Sequence, residues 1–260
     1  MVGAGSEGLE IAIVIPTFNE AGNVAELLRR LDSALAGRAW EAIFVDDASP
    51  DGTAAVLREI ARGDRRIRVI ERIGRRGLSS ACIEGMMAAS APLIAVMDAD
   101  LQHDPAVLNQ LAARLDGDPE LDLVIASRFI EGGGTGDWER DRLAKSETAS
   151  RIARLVLKAD LTDPMSGFFM IRGNRLRELA PRLSGIGFKI LLDLLTTARR
   201  PLRFAEVPLV FQRREVGESK LDHVVALEFL IALYDRMFGR FVPTRFAMFA
   251  AIGAIGVIVL

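Results

Sequence analysis

The stretch Val96 to Pro105, VMDADLQHDP, sets Asp98, Asp100, Gln102 and Asp104 directly behind a short apolar run. In an extended segment alternate side chains share a side, so Asp98, Asp100 and Gln102 are expected to converge on one point, with about 6 to 7 Å between alternate Cα atoms. Donors that are all oxygen suit Mg²⁺ or Mn²⁺, and such a cation would in turn hold a diphosphate. Without it, Asp98 and Asp100 crowd like charges at a sheet edge with nothing to neutralise them. Asp104 reads differently: Asp-Pro is a good N-cap and N1 pair, so its expected role is to open the next helix.

Side chains of this kind need a frame that delivers them to one edge. Short runs rich in Ile and Val begin at Leu9, Trp40, Arg66, Pro92 and Leu121, and helical patterns separate them at Ala21 to Leu35, Thr53 to Arg62, Leu78 to Ser90 and Pro105 to Leu115. Strand and helix in alternation predict an α/β fold, a mainly parallel sheet covered on both faces. Ligands of such sheets bind outside the carboxyl ends of the strands. The segments after the runs are PTFNE, DDASPDGT, DADLQ and SRFIEGGG. Neither a G-x-x-x-x-G-K-[ST] loop nor a G-x-G-x-x-G after the first strand is present, so a bound nucleotide would be held by carboxylates and a cation instead of a glycine cradle.

Composition narrows the classes further. Half of the 260 residues are apolar, enough for one good core, and 33 basic against 35 acidic residues create no global field that would recruit nucleic acid. The single cysteine, Cys82, excludes an internal disulfide and fits a reducing compartment. His103 and His223 have no second His or Cys at metal-ligand spacing, which argues against zinc. The first apolar run is too short and lacks the positive flank of a signal peptide. At the other end, Phe246 to Leu260 is entirely apolar or glycine, yet shorter than the roughly 20 residues that span a bilayer. It is expected to be a cut-off membrane segment or one that dips into the membrane. Before it, Val224, Leu227, Ile231, Tyr234, Phe238 and Phe241 keep helical spacing, and Arg236, Arg240 and Arg245 suit anionic head groups. The expected divisions are a catalytic unit over 1–215, an amphipathic membrane-interface region over 216–243 and a hydrophobic segment over 244–260.

Eight motifs in order carry a resemblance: PTFNE at Pro16, VDDASPDGT at Val45, GLSSA at Gly77, MDADLQH at Met97, SRF at Ser127, DPMSGFF at Asp163, GFKILLD at Gly187 and GESKL at Gly217. Together they closely resemble the polyprenyl-phosphate (dolichol-phosphate) mannose synthases, inverting glycosyltransferases of family 2 with a Rossmann-like GT-A fold. The resemblance implies that Pro16, Phe18, Glu20 and Asp47 hold the base and ribose of a nucleotide, with Phe18 standing where tyrosine is commoner. It implies that Asp98, Asp100 and Gln102 are metal ligands. Arg128 and Arg142 match arginines that grip phosphates, a role suited to a planar bidentate donor. Ser146 and Lys220 match further positions lining the acceptor and donor phosphates, and Arg214 joins them. Two departures stand out, Asp193 in place of the usual Glu and Val216 where some members carry arginine.

The chemistry implied is the transfer of mannose from GDP-mannose to a polyprenyl (dolichyl) phosphate, at the cytoplasmic face of a membrane. A polyprenyl phosphate is already anionic near neutral pH and needs little from a general base. The site must supply in-line positioning and neutralisation of crowded phosphates, which calls for arginine, lysine and a cation with no catalytic histidine. Taken singly, Arg128, Arg142 and Lys220 read equally well as solvated surface charges, and the glycine loop Glu131 to Gly136 as a connector or a lid. Two alternatives accompany this expectation: the same fold and acceptor with UDP-glucose or another nucleotide sugar, and a membrane-bound protein that binds a nucleotide sugar without turnover.

Overall fold

The computed structural model describes residues 8–136, 160–185, 187 and 189–212. Seven strands form one sheet: β1 (Ile11–Thr17), β2 (Trp40–Asp46), β3 (Ile67–Glu71), β4 (Leu93–Val96), β5 (Leu123–Ser127), β6 (Phe169–Arg172) and β7 (Phe204–Pro208). Their order across the sheet is β3-β2-β1-β4-β6-β5-β7. The predicted parallel arrangement holds for β1 with β2 and β4, for β2 with β3 and for β5 with β7. β6 departs from it, running antiparallel between β4 and β5. β6 starts at the edge where β5 ends, and a four-residue strand, FMIR, carries too little pattern to announce its direction.

Period-two alternation in β1 sends Ile11, Ile13 and Ile15 to one apolar layer and Ala12 and Val14 to the other. Every residue of β1 and β2 is buried, as a sheet covered on both faces requires. The first layer is closed by α1 (Val24–Ala34), α2 (Thr53–Gly63) and α4 (Val107–Gly117), through Val24, Leu27 and Leu31, Leu57, and Leu108, Leu111 and Leu115. These residues recur every three or four positions, the spacing that turns one helix face to the core. The second layer is closed by α3 (Leu78–Ala88), α5 (Gly173–Leu179) and α6 (Ile190–Thr197). On α3, Gly85 sits so close to the sheet that a Cβ there would lie 2.4 Å from a Val14 methyl and 2.8 Å from one of Val45. Glycine is what lets this helix lie down on β1 and β2.

The order β3-β2-β1-β4 reverses direction at β1, so the gap between β1 and β4 is the point where an open α/β sheet takes a ligand. The loops after β1, β2 and β4 meet there. Among the described residues no helix is long and apolar enough to cross a membrane. The segments 216–243 and 244–260 lie outside the described residues, as do Arg142, Ser146, Arg214, Val216 and Lys220.

Candidate active site

The loops after β1 and β2 are laced together. Asn19, held at φ 57°, donates its backbone N–H to Ser49 Oγ, Glu20 to Thr53 Oγ1 and Ala21 to Asp51 Oδ2. This fixes a half-buried Phe18 and Glu20 at the mouth of the site, with Glu20 Oε2 accepting from Asn23 Nδ2 at 2.7 Å. Pro16 is buried within β1, where it is paired in register with Val45, so it shapes the strand end from below. Of the two carboxylates that close β2, Asp46 is sealed, accepting from Thr17 Oγ1, Ser49 N and Ser49 Oγ. Asp47 keeps 8 % of its surface and accepts from Arg72 Nη1 and Gly77 N.

The acidic segment is not extended. Met97 N still bonds to Val14 O, but Leu101 takes φ 63°, and the chain closes on itself as Gln102 N donates to Asp100 Oδ1 at 3.1 Å. The expected alternation therefore fails, and a turn holds Asp98, Asp100 and Gln102 in one loop instead. Gln102 is tied to the segment after β7 twice, by Gln102 Nε2 to Gln212 O and by Gln212 N to Gln102 O. With its nitrogen so placed, this amide can offer a cation only its oxygen. Asp98 retains 39 % exposure of its side chain, whereas Asp100 and Gln102 are nearly buried. Burial and the adjacent Asp100 carboxylate push the Asp98 carboxyl up, against the pull of His103 and Lys189. A site that raises the cost of negative charge this way is one a cation would relieve.

Among the described residues no group of three or more His, Cys, Asp or Glu could hold a metal ion; the oxygen donors this loop offers are the Asp98 and Asp100 carboxylates and the Gln102 amide. The donor chemistry fits Mg²⁺ or Mn²⁺. Space at Asp98 is guarded by Gly167, where a Cβ would stand 3.1 Å from Asp98 Oδ2. Asp104 and Pro105 are not the N-cap and N1 pair of α4, whose N-cap is Ala106; Asp104 Oδ1 instead accepts from Ala106 N in the turn that leads into the helix. His103 is structural. Its Nδ1 accepts the Asp98 backbone N–H at 3.0 Å, which puts the ring proton on Nε2, and the ring stacks on Phe168 and meets Phe211 edge-on. Burial lowers its pKa and keeps it neutral.

Arg128, expected to grip phosphate, has its fork on protein. Nε and Nη2 donate to the two oxygens of Asp163 at 2.7 and 2.8 Å, and Asp163 is fully buried. The sheet explains this: β5 delivers Arg128 beside the segment entering β6, which Thr162 pins to Glu206 of β7 and to Ser127. Next to this pair Lys189 donates from Nζ to Met165 O at 3.0 Å. Burial and the Arg128 charge lower the Lys189 pKa to about 8, while Asp98 and Asp163 pull the other way. Asp193, the shorter carboxylate in GFKILLD, accepts from Ser184 N, Ser184 Oγ, Gly185 N and Thr197 Oγ1, holding the turn before α6. The glycine loop is pinned in its described part. Gly134 bridges Val210, and a Cβ at Gly133 would come within 2.7 Å of Ser127 O.

The structure thus brings Phe18, Glu20, Asp47, Asp98, Asp100, Gln102 and Arg128 to one edge. Asp163, Gly167 and Lys189 join them, although the sequence reading gave them no role. All three lie inside the motifs DPMSGFF and GFKILLD, the signal through which they could have been found.

The chain is 36 % identical over 253 residues to a dolichol-phosphate mannosyltransferase of Pyrococcus furiosus, covering 96 % of this chain and 70 % of that protein. It is 33 % identical over 250 residues to the dolichol-phosphate mannosyltransferase of Saccharomyces cerevisiae, covering 93 % and 92 %. Among solved structures, glucosyl-3-phosphoglycerate synthase from Mycobacterium tuberculosis, in complex with Mn²⁺, UDP and glucosyl-3-phosphoglycerate, shares the fold with a TM-score of 0.65 at 20 % identity, covering 88 % of this chain and 80 % of that one. The family model of glycosyl transferase family 2 matches residues 12–179, and with it the chain belongs to that family and is a glycosyltransferase.

Proposed function

We propose that the chain transfers mannose from GDP-mannose to a polyprenyl (dolichyl) phosphate with inversion, giving the lipid-phosphate mannose and GDP. The observation that carries this reading is the meeting, at the β1/β4 switch point, of an oxygen-only loop with a half-buried aromatic and a carboxylate at the end of β2. The relatives' names supply the acceptor class and the sugar. Phe18 stacks on the base, while Glu20 and Asp47 accept from base and ribose. Asp98, Asp100 and Gln102 would hold Mg²⁺ or Mn²⁺, which when bound neutralises the diphosphate of the departing nucleotide.

The remaining work falls to cationic side chains. The acceptor phosphate arrives ionised, so no side chain has to remove a proton from it. Arg128, set by Asp163, and Lys189 line the side where two phosphate groups must approach each other. Arg142, Arg214 and Lys220, from the family resemblance, would add further positive charge there, and Ser146 a hydroxyl donor. The amphipathic region 216–243 and the apolar segment 244–260 would hold the site against membrane lipid on the cytoplasmic side.

The test is transfer of radiolabelled sugar from a panel of GDP- and UDP-sugars to a short polyprenyl phosphate, with Mg²⁺, Mn²⁺ or EDTA. Label moving from GDP-mannose alone, only with cation, and lost in Asp100→Asn with the fold intact, is expected. Transfer from UDP-glucose would replace the donor, and transfer in EDTA would remove the cation.

A further inference from the structure

Arg72, just past the end of β3, is the largest fully buried side chain in the described residues, and its partners lie after β2, at the turn into α3 and on α3 itself. Its Nη1 donates to Asp47 Oδ1 at 2.8 Å and to Gly77 O at 3.0 Å, and its Nη2 donates to Ser80 Oγ at 2.6 Å. Its Nε lies 3.3 Å from Glu84 Oε2 and has no hydrogen-bond partner. Gly77 closes the ring by donating its N–H to the other oxygen, Asp47 Oδ2, at 2.8 Å. Gly77 holds φ 137°, a conformation that L side chains rarely adopt, so this closure depends on glycine.

A buried guanidinium is expensive unless its charge is matched, and here two carboxylates face it: Asp47, fixed in position and rotation by two donors, and Glu84, 3.3 Å from Nε. Asp47 has acceptor capacity for about four donors and spends two on Arg72 and Gly77. Asp47 follows β2 and donates its N–H to Thr17 O, one residue before Phe18. Arg76, in the loop that Arg72 anchors, has its guanidinium 4.9 Å from the Phe18 ring centre, so this loop also meets the aromatic.

We infer that Arg72 is a positioning residue for nucleotide recognition. It orients Asp47 and holds the Gly74 to Gly77 loop, so that carboxylate and aromatic face present one preformed base site. This rests on the reading of the chain as a nucleotide-sugar transferase. Arg72 touches no substrate and acts through Asp47.

The experiment measures GDP and UDP binding by calorimetry with Mg²⁺, together with transfer kinetics, in the full chain and in Arg72→Met, Arg72→Lys and Arg68→Met. Arg68 is the control, because on β3 it makes an ion pair, from a more exposed side chain, to buried Glu41 of β2 without reaching the site. Arg72→Met is expected to weaken nucleoside diphosphate binding at least tenfold and raise KM for the donor, with kcat at saturation within about threefold. Arg72→Lys recovers part of the affinity, and Arg68→Met lowers thermal stability with affinity unchanged. Arg72→Met with wild-type affinity, or with a loss that Arg68→Met shares, overturns the inference alone. A wild-type chain that binds neither nucleotide overturns the proposed function, and this inference with it.

Discussion

Removing Asp163 should unfold the site before it removes any chemistry. The Arg128 to Asp163 pair is bidentate at 2.7 and 2.8 Å, with Asp163 fully buried and 8 % of the Arg128 side chain exposed. Breaking a buried pair by truncating one partner leaves an uncompensated charge and costs about 3–5 kcal/mol. For a domain of this size each kcal/mol lowers Tm by about 2–4 °C, so Asp163→Ala should lose about 6–20 °C. Arg128→Ala gives up the same pair and also its approach to the Phe211 ring at 5.7 Å, so its loss should be at least as large. Removing both charges together, as Arg128→Met with Asp163→Leu, deletes the desolvation cost along with the attraction and should be milder than either single change. The assay is urea unfolding of the four proteins, followed by tryptophan fluorescence and by far-UV circular dichroism. Single variants that lose under 1 kcal/mol, or a double variant whose loss equals their sum, would refute the reasoning.

Gly167→Ala brings a methyl to 3.1 Å from Asp98 Oδ2 without a backbone penalty, since Gly167 is not among the glycines with positive φ. Stability should change by less than about 1 kcal/mol, while transfer falls about tenfold and needs more cation for half-maximal rate; unchanged cation dependence would count against Asp98 as a ligand. Lys189 titrates at about 8, below its ordinary 10.5, so it carries its charge below pH 8 and loses it above. If that charge serves the phosphates, kcat/KM should fall as pH rises through about 8, and Lys189→Arg should flatten this limb; identical limbs in both proteins would remove Lys189 from that role. The sign for stability is opposite. The unfolded chain binds more protons between pH 8 and 10.5, so this group's penalty is full below 8 and is relieved as pH rises across that window.

Much of the frame could be read locally. β1 announces itself by the apolar run IAIVIP, β2 by AIFV between Glu41 and Asp46, and α1 by Val24, Leu27 and Leu31, because burial on a sheet or helix face imposes a pattern on neighbouring residues. The loop positions followed from the strand ends. What was misjudged within the site is local as well: the acidic segment was expected to run straight, and Leu101 at φ 63° turns it, since Asp100 captures the Gln102 N–H. Such side-chain to backbone bonds compete with extension wherever aspartate sits in a short loop.

The sequence by itself determined which residue types could serve this edge and the order in which the chain visits it: an aromatic after β1, a carboxylate after β2, an oxygen cluster after β4 and an arginine after β5. Only the tertiary structure decided what each may do. It joined Arg128 to Asp163 across 35 positions, Gln102 to Gln212 across 110 and Asp47 to Arg72 across 25. It also turned β6 antiparallel between β4 and β5, which carries Asp163 and Gly167 to the carboxyl ends of their parallel neighbours. A periodic signal reports the face a residue buries, whereas the partner of a buried charge is set by which strands lie side by side, and that is settled only when the whole sheet closes.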